Sequence, residues 1–149
     1  APSSEMPDYR CCMDCTGFNL RKATRAVSQL YDEMLRPAGI RGTQYSLLVA
    51  VHMSGPITVT QLAENAVMDR TTLSRNLELL ENQGLIDVAS GEDRRTRMVT
   101  ITDEGRVVLL KAYPLWEQAQ SRIREAMGED RLQILMRSLS DLIEASQAQ

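Results

Sequence analysis

Three cysteines lie within five residues near the start of the chain, at Cys11, Cys12 and Cys15, and the last two have C-x-x-C spacing. They come just before a predicted helix, whose dipole would lower a thiol pKa and favour the reactive thiolate. Three interpretations stay open: inert thiols in a mobile arm, a thiol switch that responds to oxidation, or a site for a soft metal or metalloid ion.

An enzymatic role for these thiols is not expected. C-x-x-C oxidoreductases carry the motif in a βαβ context, and no such pattern surrounds it here. The only histidine, His52, has no paired nucleophile or acid, and P-loop, G-x-S-x-G, G-x-G-x-x-G and H-E-x-x-H motifs do not occur. The sequence therefore predicts a protein that is not an enzyme and needs no cofactor.

A second chemically capable group is a cluster of arginines, Arg94, Arg95 and Arg97, within four positions. They lie at the polar tip of a predicted β-hairpin with strands at residues 85–90 and 97–101. A guanidinium on a narrow projection can enter the minor groove of DNA, where the negative potential attracts it. The cluster therefore indicates a DNA contact rather than a role in the core.

A predicted helix before the hairpin presents a polar face suited to the major groove. It begins after the N-cap Asp69 and ends before Gly84. Its apolar stripe is formed by three leucines: Leu73, Leu77 and Leu80. At 100° per residue, the opposite face and its flanks carry Thr71, Thr72, Ser74, Arg75 and Asn76. Arg75 is the candidate for reading guanine, and Arg70 suits a phosphate contact or packing along its stem equally well.

The overall charge excludes a protein that coats nucleic acid nonspecifically. The 17 basic and 20 acidic side chains give a net charge of −3. Between Asp69 and Arg97, five arginines stand against six acidic side chains. DNA binding would therefore depend on how the charges are arranged, with modest nonspecific affinity and a limited salt dependence.

These groups are positioned by a mainly α chain. Apolar residues three and four apart predict a first helix from about 17 to 36, ended by Pro37 and Gly39. Candidate N-caps of the later helices are Thr43, Thr58, Asp69 and Thr102. The third and fourth helices are short and joined by about two residues, and the hairpin follows them. This order predicts a winged helix-turn-helix flanked by long terminal helices.

The two C-terminal helices meet at Gly128, and a kink is expected in the first of them at Pro114. The last helix repeats leucine at spacings of three and four: Leu132, Leu135, Leu139 and Leu142. Such a narrow seam needs a partner helix, as in a coiled coil. The longest apolar run, at residues 47–51, is far too short for a membrane span, and residues 1–10 lack a signal pattern. The sequence thus predicts a soluble cytoplasmic protein without a membrane partner.

The segment from Ile57 to Gly105 closely resembles the MarR family of bacterial transcription regulators. The similarity is carried by TQLAE in the third helix, RTTLSRNLELLENQGLI in the fourth helix and its exit, and DRRTRMVTITDEG in the wing. The resemblance implies a homodimeric repressor that binds a pseudo-palindromic operator in double-stranded DNA. It also implies three regions: a cysteine-containing arm (1–16), a helical dimerisation region (17–42 and 106–149) and a winged helix-turn-helix DNA-binding domain (43–105).

The resemblance implies roles for the wing residues. Arg95 would be the minor-groove arginine, and Asp93 would orient it through a carboxylate pair. Arg94 and Arg97 would then make phosphate contacts or structural ion pairs.

Regulation in the resembling family occurs through a ligand or an oxidant that loosens the grip on DNA. Small aromatic ligands bind between the dimer helices and the winged domain, where Tyr31 and Tyr45 would lie. Some relatives sense peroxide through a cysteine of the first helix near tyrosines, and Cys15 lies about two residues before that position.

Two alternatives to this function remain. The first is a metal- or metalloid-responsive regulator that uses Cys11, Cys12 and Cys15, since three thiolates favour soft ions over zinc. The second is a winged-helix protein-interaction module that does not bind DNA. A docking module would be expected to expose an apolar patch where this sequence places hydroxyls and arginines.

Overall fold

The structure, a computed structural model, describes residues 5–148, and its elements follow the predicted order. The helices are α1 (Thr16–Leu35), α2 (Gly42–Ser54), α3 (Val59–Ala66), α4 (Arg70–Asn82), α5 (Asp103–Met127) and α6 (Glu129–Gln147). The strands are β1 (Ile57–Thr58), β2 (Ile86–Ser90) and β3 (Arg97–Ile101). The chain is therefore mainly α, with a winged helix-turn-helix between long terminal helices, as the sequence predicts.

The wing belongs to an antiparallel sheet with the strand order β1-β3-β2. β2 and β3 form the predicted hairpin, in which Val88 lies opposite Val99. The third strand, β1, is not expected from the sequence: Ile57 pairs with Val99 across the other edge of β3. Two residues are too few to show an alternating pattern, so only the tertiary pairing reveals this strand.

Side-chain caps fix where α3 and α4 begin. Thr58 Oγ1 accepts a hydrogen bond from the Gln61 N–H at 3.0 Å, and Gln61 Oε1 accepts one from the Thr58 N–H at 3.3 Å. Asp69 Oδ1 accepts a hydrogen bond from the Thr72 N–H at 3.0 Å. Both predicted caps are confirmed, and they satisfy N–H groups that a helix leaves unpaired.

The predicted cap at Thr43 is wrong. The N-cap is Arg41, two residues earlier, and α2 begins at Gly42, whose N–H donates to Asp32 Oδ1 of α1 at 2.8 Å. The Arg41 N–H donates to Gln44 Oε1 at 2.9 Å. These two side chains accept from the N–H groups of the N-cap residue and of the first helical residue, and Asp32 also ties α2 to α1.

We call α2 through β3 the winged lobe, and it closes around one aliphatic core. The three predicted leucines of α4, Leu73, Leu77 and Leu80, are at most 4% exposed. The other members of this core with less than 2% exposure are Leu35, Leu48, Val51, Leu62, Ile86, Val99 and Ala112. The core therefore reaches from the helix-turn-helix to the wing and to α1 and α5.

A close contact joins the wing to α5. Thr102 Oγ1 donates to the Gly84 carbonyl at 2.7 Å and accepts from the Gly105 N–H at 3.0 Å. A Cβ on Gly105 would collide with the Leu85 carbonyl oxygen and with the Ile101 side chain. Only glycine therefore fits at this point, where the residues between α4 and β2 meet the first turn of α5.

The terminal helices are covered less completely than the winged lobe. Within the predicted leucine seam of α6, Leu132 is buried, whereas the three later leucines are half-buried. Large apolar side chains on α1, α5 and α6 remain exposed in the single chain: Val27, Val107, Leu110, Tyr113, Ile134, Met136 and Ile143. Within residues 5–148, no helix combines the length and apolar character that a membrane crossing requires.

The arm before α1 contains more regular structure than the sequence predicts. Residues Tyr9–Asp14 form a 3₁₀ helix, and Asp8 Oδ1 caps it by accepting from the Arg10 N–H at 3.1 Å. Local hydrogen bonds from side chains stabilise such a segment rather than an apolar stripe. The sequence therefore contains no periodic pattern that would predict it.

Candidate nucleic-acid interface

The turn between α3 and α4 sets the direction of α4. Val67 has a φ of +51°, in the left-handed region that β-branched residues rarely adopt. The N–H of Met68 donates to the Ala63 carbonyl at 2.9 Å, which ends α3. Asp69 then starts α4 at once, so that the two helices cross after a three-residue connection.

The outward face of α4 carries most of the predicted DNA-contacting side chains. Five of them are exposed: Arg70, Thr71, Thr72, Ser74 and Arg75. Asn76 is half-buried, and its Nδ2 donates to the Thr72 carbonyl at 2.9 Å. Hydroxyls and a guanidinium fork on one helix face can contact phosphates and base edges, whereas Asn76 is partly engaged by its own helix.

The wing tip exposes the three predicted arginines, Arg94, Arg95 and Arg97. The structure does not show the predicted carboxylate pair between Asp93 and Arg95; instead, Asp93 Oδ1 accepts from the backbone N–H of Arg95 at 3.1 Å. An aspartate commonly bonds the backbone two residues on, which shapes a turn. Asp93 therefore shapes the loop and leaves the Arg95 guanidinium outside the three ion pairs seen within residues 5–148.

A groove of about 800 Å³ runs between the helix-turn-helix and the wing. Its basic and hydroxyl-bearing lining residues are Thr58, Thr60, Arg70, Ser74, Arg95, Thr96 and Arg97. Two acidic side chains, Glu78 and Glu81, line it as well. Glu81 Oε2 accepts from the Val88 N–H at 3.3 Å, so one of the two carboxylates is bonded to the wing backbone.

One residue of this groove, Thr60, has no place in the predicted site. Its Oγ1 accepts a hydrogen bond from Arg70 Nη2 at 2.7 Å. Neither of the two roles considered for Arg70 includes a contact with α3. The sequence shows only a threonine in the first turn of a capped helix. Hydroxyl residues are common near helix starts, so this threonine does not indicate a contact with Arg70.

The cysteines lie at the N-terminal end of α1, opposite the end that connects to α2. All three thiols are free and exposed, and Cys15 is the N-cap residue of α1. The backbone N–H groups of Phe18 and Gly17 favour the thiolate and lower the pKa of Cys15, and the Arg21 charge adds a smaller effect. Within residues 5–148, no group of three potential ligands is arranged to hold a metal ion.

A larger crevice, of about 1480 Å³, lies between α1, α2 and the helix-turn-helix. Tyr31, Tyr45 and Trp116 line it, and the Tyr45 and Trp116 rings stack with centroids 6.3 Å apart. The Tyr31 hydroxyl donates to Gln120 Oε1 of α5. Burial raises the pKa of both tyrosines, so their hydroxyls stay neutral donors near neutral pH.

Fold and surface together define a winged helix-turn-helix protein with an exposed face that carries arginine and hydroxyl side chains. The MarR family model matches residues 38–96. The structure is similar to MosR, a transcriptional regulator of Mycobacterium tuberculosis solved in complex with DNA, with 35% identity and a TM-score of 0.79. That similarity covers 90% of this chain and 99% of MosR. The chain belongs to the MarR family of transcription regulators, which are not enzymes, as the sequence predicts.

More distant relatives agree with this assignment. A probable transcriptional regulator of Pseudomonas aeruginosa is 25% identical, with a TM-score of 0.79 over 88% of this chain and 98% of that one. The HTH-type regulator YwoH of Bacillus subtilis is 27% identical over 57% of this chain and 62% of its own length. An organic hydroperoxide resistance transcriptional regulator of Bacillus subtilis is 29% identical over 66% of this chain and 67% of its length. The chain spans 62% to 65% of the length of the first curated relatives that it matches.

Proposed function

We propose that the chain is a homodimeric, sequence-specific DNA-binding protein that represses transcription from a pseudo-palindromic operator. The observation that carries this proposal is the common exposure of the α4 face and the wing arginines on either side of one groove. MosR was solved with DNA, which supports the same use of the matching surface here.

In this proposal α4 lies in the major groove and the wing reaches the adjacent minor groove. Arg75 would bind guanine O6 and N7, while the hydroxyls of Thr71, Thr72 and Ser74 would contact phosphates. Arg95 would enter the minor groove, and Arg94 and Arg97 would contact its phosphate walls. Few phosphates would be neutralised per subunit, which predicts a shallow salt dependence.

Dimerisation would occur through the terminal helices. Their exposed apolar side chains, among them Met136 and Ile143 seven residues apart on α6, form a surface that water does not favour. A second copy of the chain would cover this surface and place two α4 helices about 34–36 Å apart, one turn of DNA.

Affinity tests of two arginines decide this proposal. Arg75→Ala and Arg95→Ala should each weaken operator binding by about 1–3 kcal/mol, and Arg75→Ala should relax the preference for one base pair. Arg137→Ala, which removes an exposed arginine from α6, is the matched control. Selection from random DNA supplies the operator. Unchanged affinity in both wing and α4 variants, or selection of no DNA at all, would favour a protein-interaction module instead.

Regulation through the cysteine segment is a second part of the proposal. The Cys15 N–H donates to the Cys12 carbonyl at 3.2 Å, which closes a turn of the 3₁₀ type. Residues three apart in such a turn are eclipsed and about 6 Å apart, within the Cα range of disulfides. A hydroperoxide would oxidise the Cys15 thiolate to a sulfenic acid, and the Cys12 thiol would displace water to form the disulfide.

Oxidation is tested by measuring operator affinity before and after treatment with hydrogen peroxide and then with a reductant. We expect a reversible loss that disappears in Cys12→Ser and Cys15→Ser but persists in Cys11→Ser, whose parent thiol bonds back to the Asp8 carbonyl at 3.7 Å. A response as large as that of the parent in all three variants would identify the thiols as inert. Arsenite in place of peroxide tests the metalloid alternative.

The crevice beside Tyr45 and Trp116 is the proposed site for a small aromatic effector. Its volume accommodates such a ligand, and the stacked Tyr45 and Trp116 rings would pack against an aromatic acid or phenol. Tyr45→Ala should abolish any shift in operator affinity caused by an aromatic acid such as salicylate. Salicylate that changes the affinity of parent and variant equally would place the effector elsewhere.

A further inference from the structure

A polar contact joins the two helices of the helix-turn-helix on their outward side. Arg70 Nη2 donates to Thr60 Oγ1 at 2.7 Å. Thr60 lies in the first turn of α3, and Arg70 is the first residue of α4. Both residues are exposed, so their contact is not a by-product of core packing.

The contact fixes the Arg70 side chain without neutralising it. A guanidinium has five N–H donors, and a hydroxyl is an uncharged acceptor that takes one of them. The ion pairs within residues 5–148 do not include Arg70. Its charge and its other donors are therefore available to an anion on the solvent side.

The same pair lies on the wall of the groove between the helix-turn-helix and the wing. Thr60, Arg70 and Ser74 line the helical side, and Arg97 lines the side of the wing. A strand of DNA that passes from the major groove at α4 to the minor groove at the wing must cross this groove. The anion that meets Arg70 there is a backbone phosphate.

We propose that Thr60 is a positioning residue, whose hydroxyl orients the Arg70 guanidinium towards a phosphate of the DNA strand that crosses the groove. The inference rests on the proposed function, because it specifies one contact of the DNA complex. A long side chain that is already ordered loses less rotamer entropy on binding. Because a phosphate carries no sequence information, the contribution is the same on operator and on unrelated DNA.

The first test compares Thr60→Val, which keeps the shape and removes the acceptor, with Thr60→Ser, which keeps the acceptor. Thr60→Val should raise the Kd by about 2- to 13-fold for each subunit of the dimer, the cost of ordering one long side chain, on operator and scrambled duplex alike. Thr60→Ser should bind within about twofold of the parent. Thermal unfolding of each variant, followed by circular dichroism, controls for damage to the fold.

The second test is a double-mutant cycle with Arg70→Ala. Arg70→Ala should reduce the slope of log Kd against log salt by about 0.9 per subunit, the value for one phosphate, whereas Thr60→Val should leave the slope unchanged. In the Arg70→Ala background, Thr60→Val should have no further effect beyond about twofold, because the side chain that Thr60 orients is gone.

Three results would overturn the inference: a Thr60→Ser variant as weak as Thr60→Val, equal effects of Thr60→Val in both backgrounds, or an unchanged salt slope in Arg70→Ala. Each of them requires that the parent binds its operator. A parent chain that binds no DNA would instead contradict the proposed function, so the two failures are distinguishable.

Discussion

The winged lobe and the terminal helices satisfy the hydrophobic effect in different ways. In the winged lobe, α4 and β3 bury their apolar side chains within one chain, and Leu73, Leu80 and Val99 are fully covered. On the terminal helices, Leu110 is 78% exposed and Ile134 is 53% exposed. The lobe closes its core within one chain, with side chains of α1 and α5 included, whereas the terminal helices expose an apolar surface that a second chain would cover.

The difference corresponds to the two roles proposed for the chain, reading DNA and forming a dimer. A reading head must hold its polar side chains in one geometry, which a closed core achieves. A dimerising region must bury apolar surface against a second chain, and so it cannot be closed in the monomer.

The largest effect is expected in the closed core. Leu80→Ala should lower the free energy of unfolding by about 2–5 kcal/mol, because it leaves a cavity among fully buried side chains. Urea unfolding at two protein concentrations measures it, and the change itself should not vary with concentration. Ile143→Ala on α6 is the matched control, and its effect should grow with concentration as dimers form. A concentration-dependent effect at Leu80 would contradict the idea of a self-contained lobe.

A smaller but diagnostic effect is expected where the lobe meets α5. Gly105→Ala should destabilise the fold by about 1–3 kcal/mol, because the new Cβ collides with the Leu85 carbonyl oxygen. Gly17→Ala, in the first turn of α1, meets only the flexible end of Arg21 and should be neutral or slightly stabilising. Thermal unfolding distinguishes the two variants. Similar melting temperatures would mean that the contact between Gly105 and Leu85 can relax to admit a Cβ.

A charged side chain introduced on α6 tests the proposed dimer surface. Ile143→Asp should weaken dimerisation by at least about 1 kcal/mol, since it places a carboxylate in an apolar contact. Analytical ultracentrifugation should show the shift towards monomer, and circular dichroism should show an intact helical fold. Asp141→Asn, a nearby exposed change on α6, is the control. A dimer that tolerates the carboxylate at position 143 would place the interface on another face of the terminal helices.

The smallest effect concerns pH. Hydrogen bonds from Thr72 lower the pKa of Asp69 below its unfolded value, so the folded state favours the carboxylate. That stabilisation is present above the unfolded pKa and is lost as the pH falls below about 4, through the lowered folded pKa. Melting temperatures between pH 2 and 6 should therefore fall less steeply for Asp69→Asn than for the parent. Identical pH profiles would show that the cap does not depend on the charge.

Much of the winged lobe could be predicted from the sequence because its signals are local. Asp69, the Thr58–Gln61 pair and Gly84 mark helix ends through bonds or dihedral angles within a few residues. The leucines of α4 mark its buried face by spacing alone. Local chemistry and tertiary packing agree at these positions, and the predictions there are confirmed.

The features that the sequence did not indicate involve partners that are distant in sequence or a choice between several plausible donors. α2 starts at Gly42 because Asp32, ten residues earlier, accepts its N–H. The Thr60–Arg70 bond spans the same separation and leaves no periodic trace. For Asp93, spacing permits a guanidinium or a backbone N–H as donor, and the turn of the loop favours the backbone.

The close packing at Thr102 and Gly105 couples the first turn of α5 to the base of the wing. The helix has 25 residues, so it is about 37 Å long. Because the backbone of Gly105 packs too close to the Leu85 carbonyl to admit a Cβ, a tilt of α5 would press on the residues at the base of the wing. A tilt of about 5° over that length displaces one end by about 3 Å, which is enough to lose a hydrogen bond to a phosphate. A tilt imposed among the terminal helices would therefore also shift the wing.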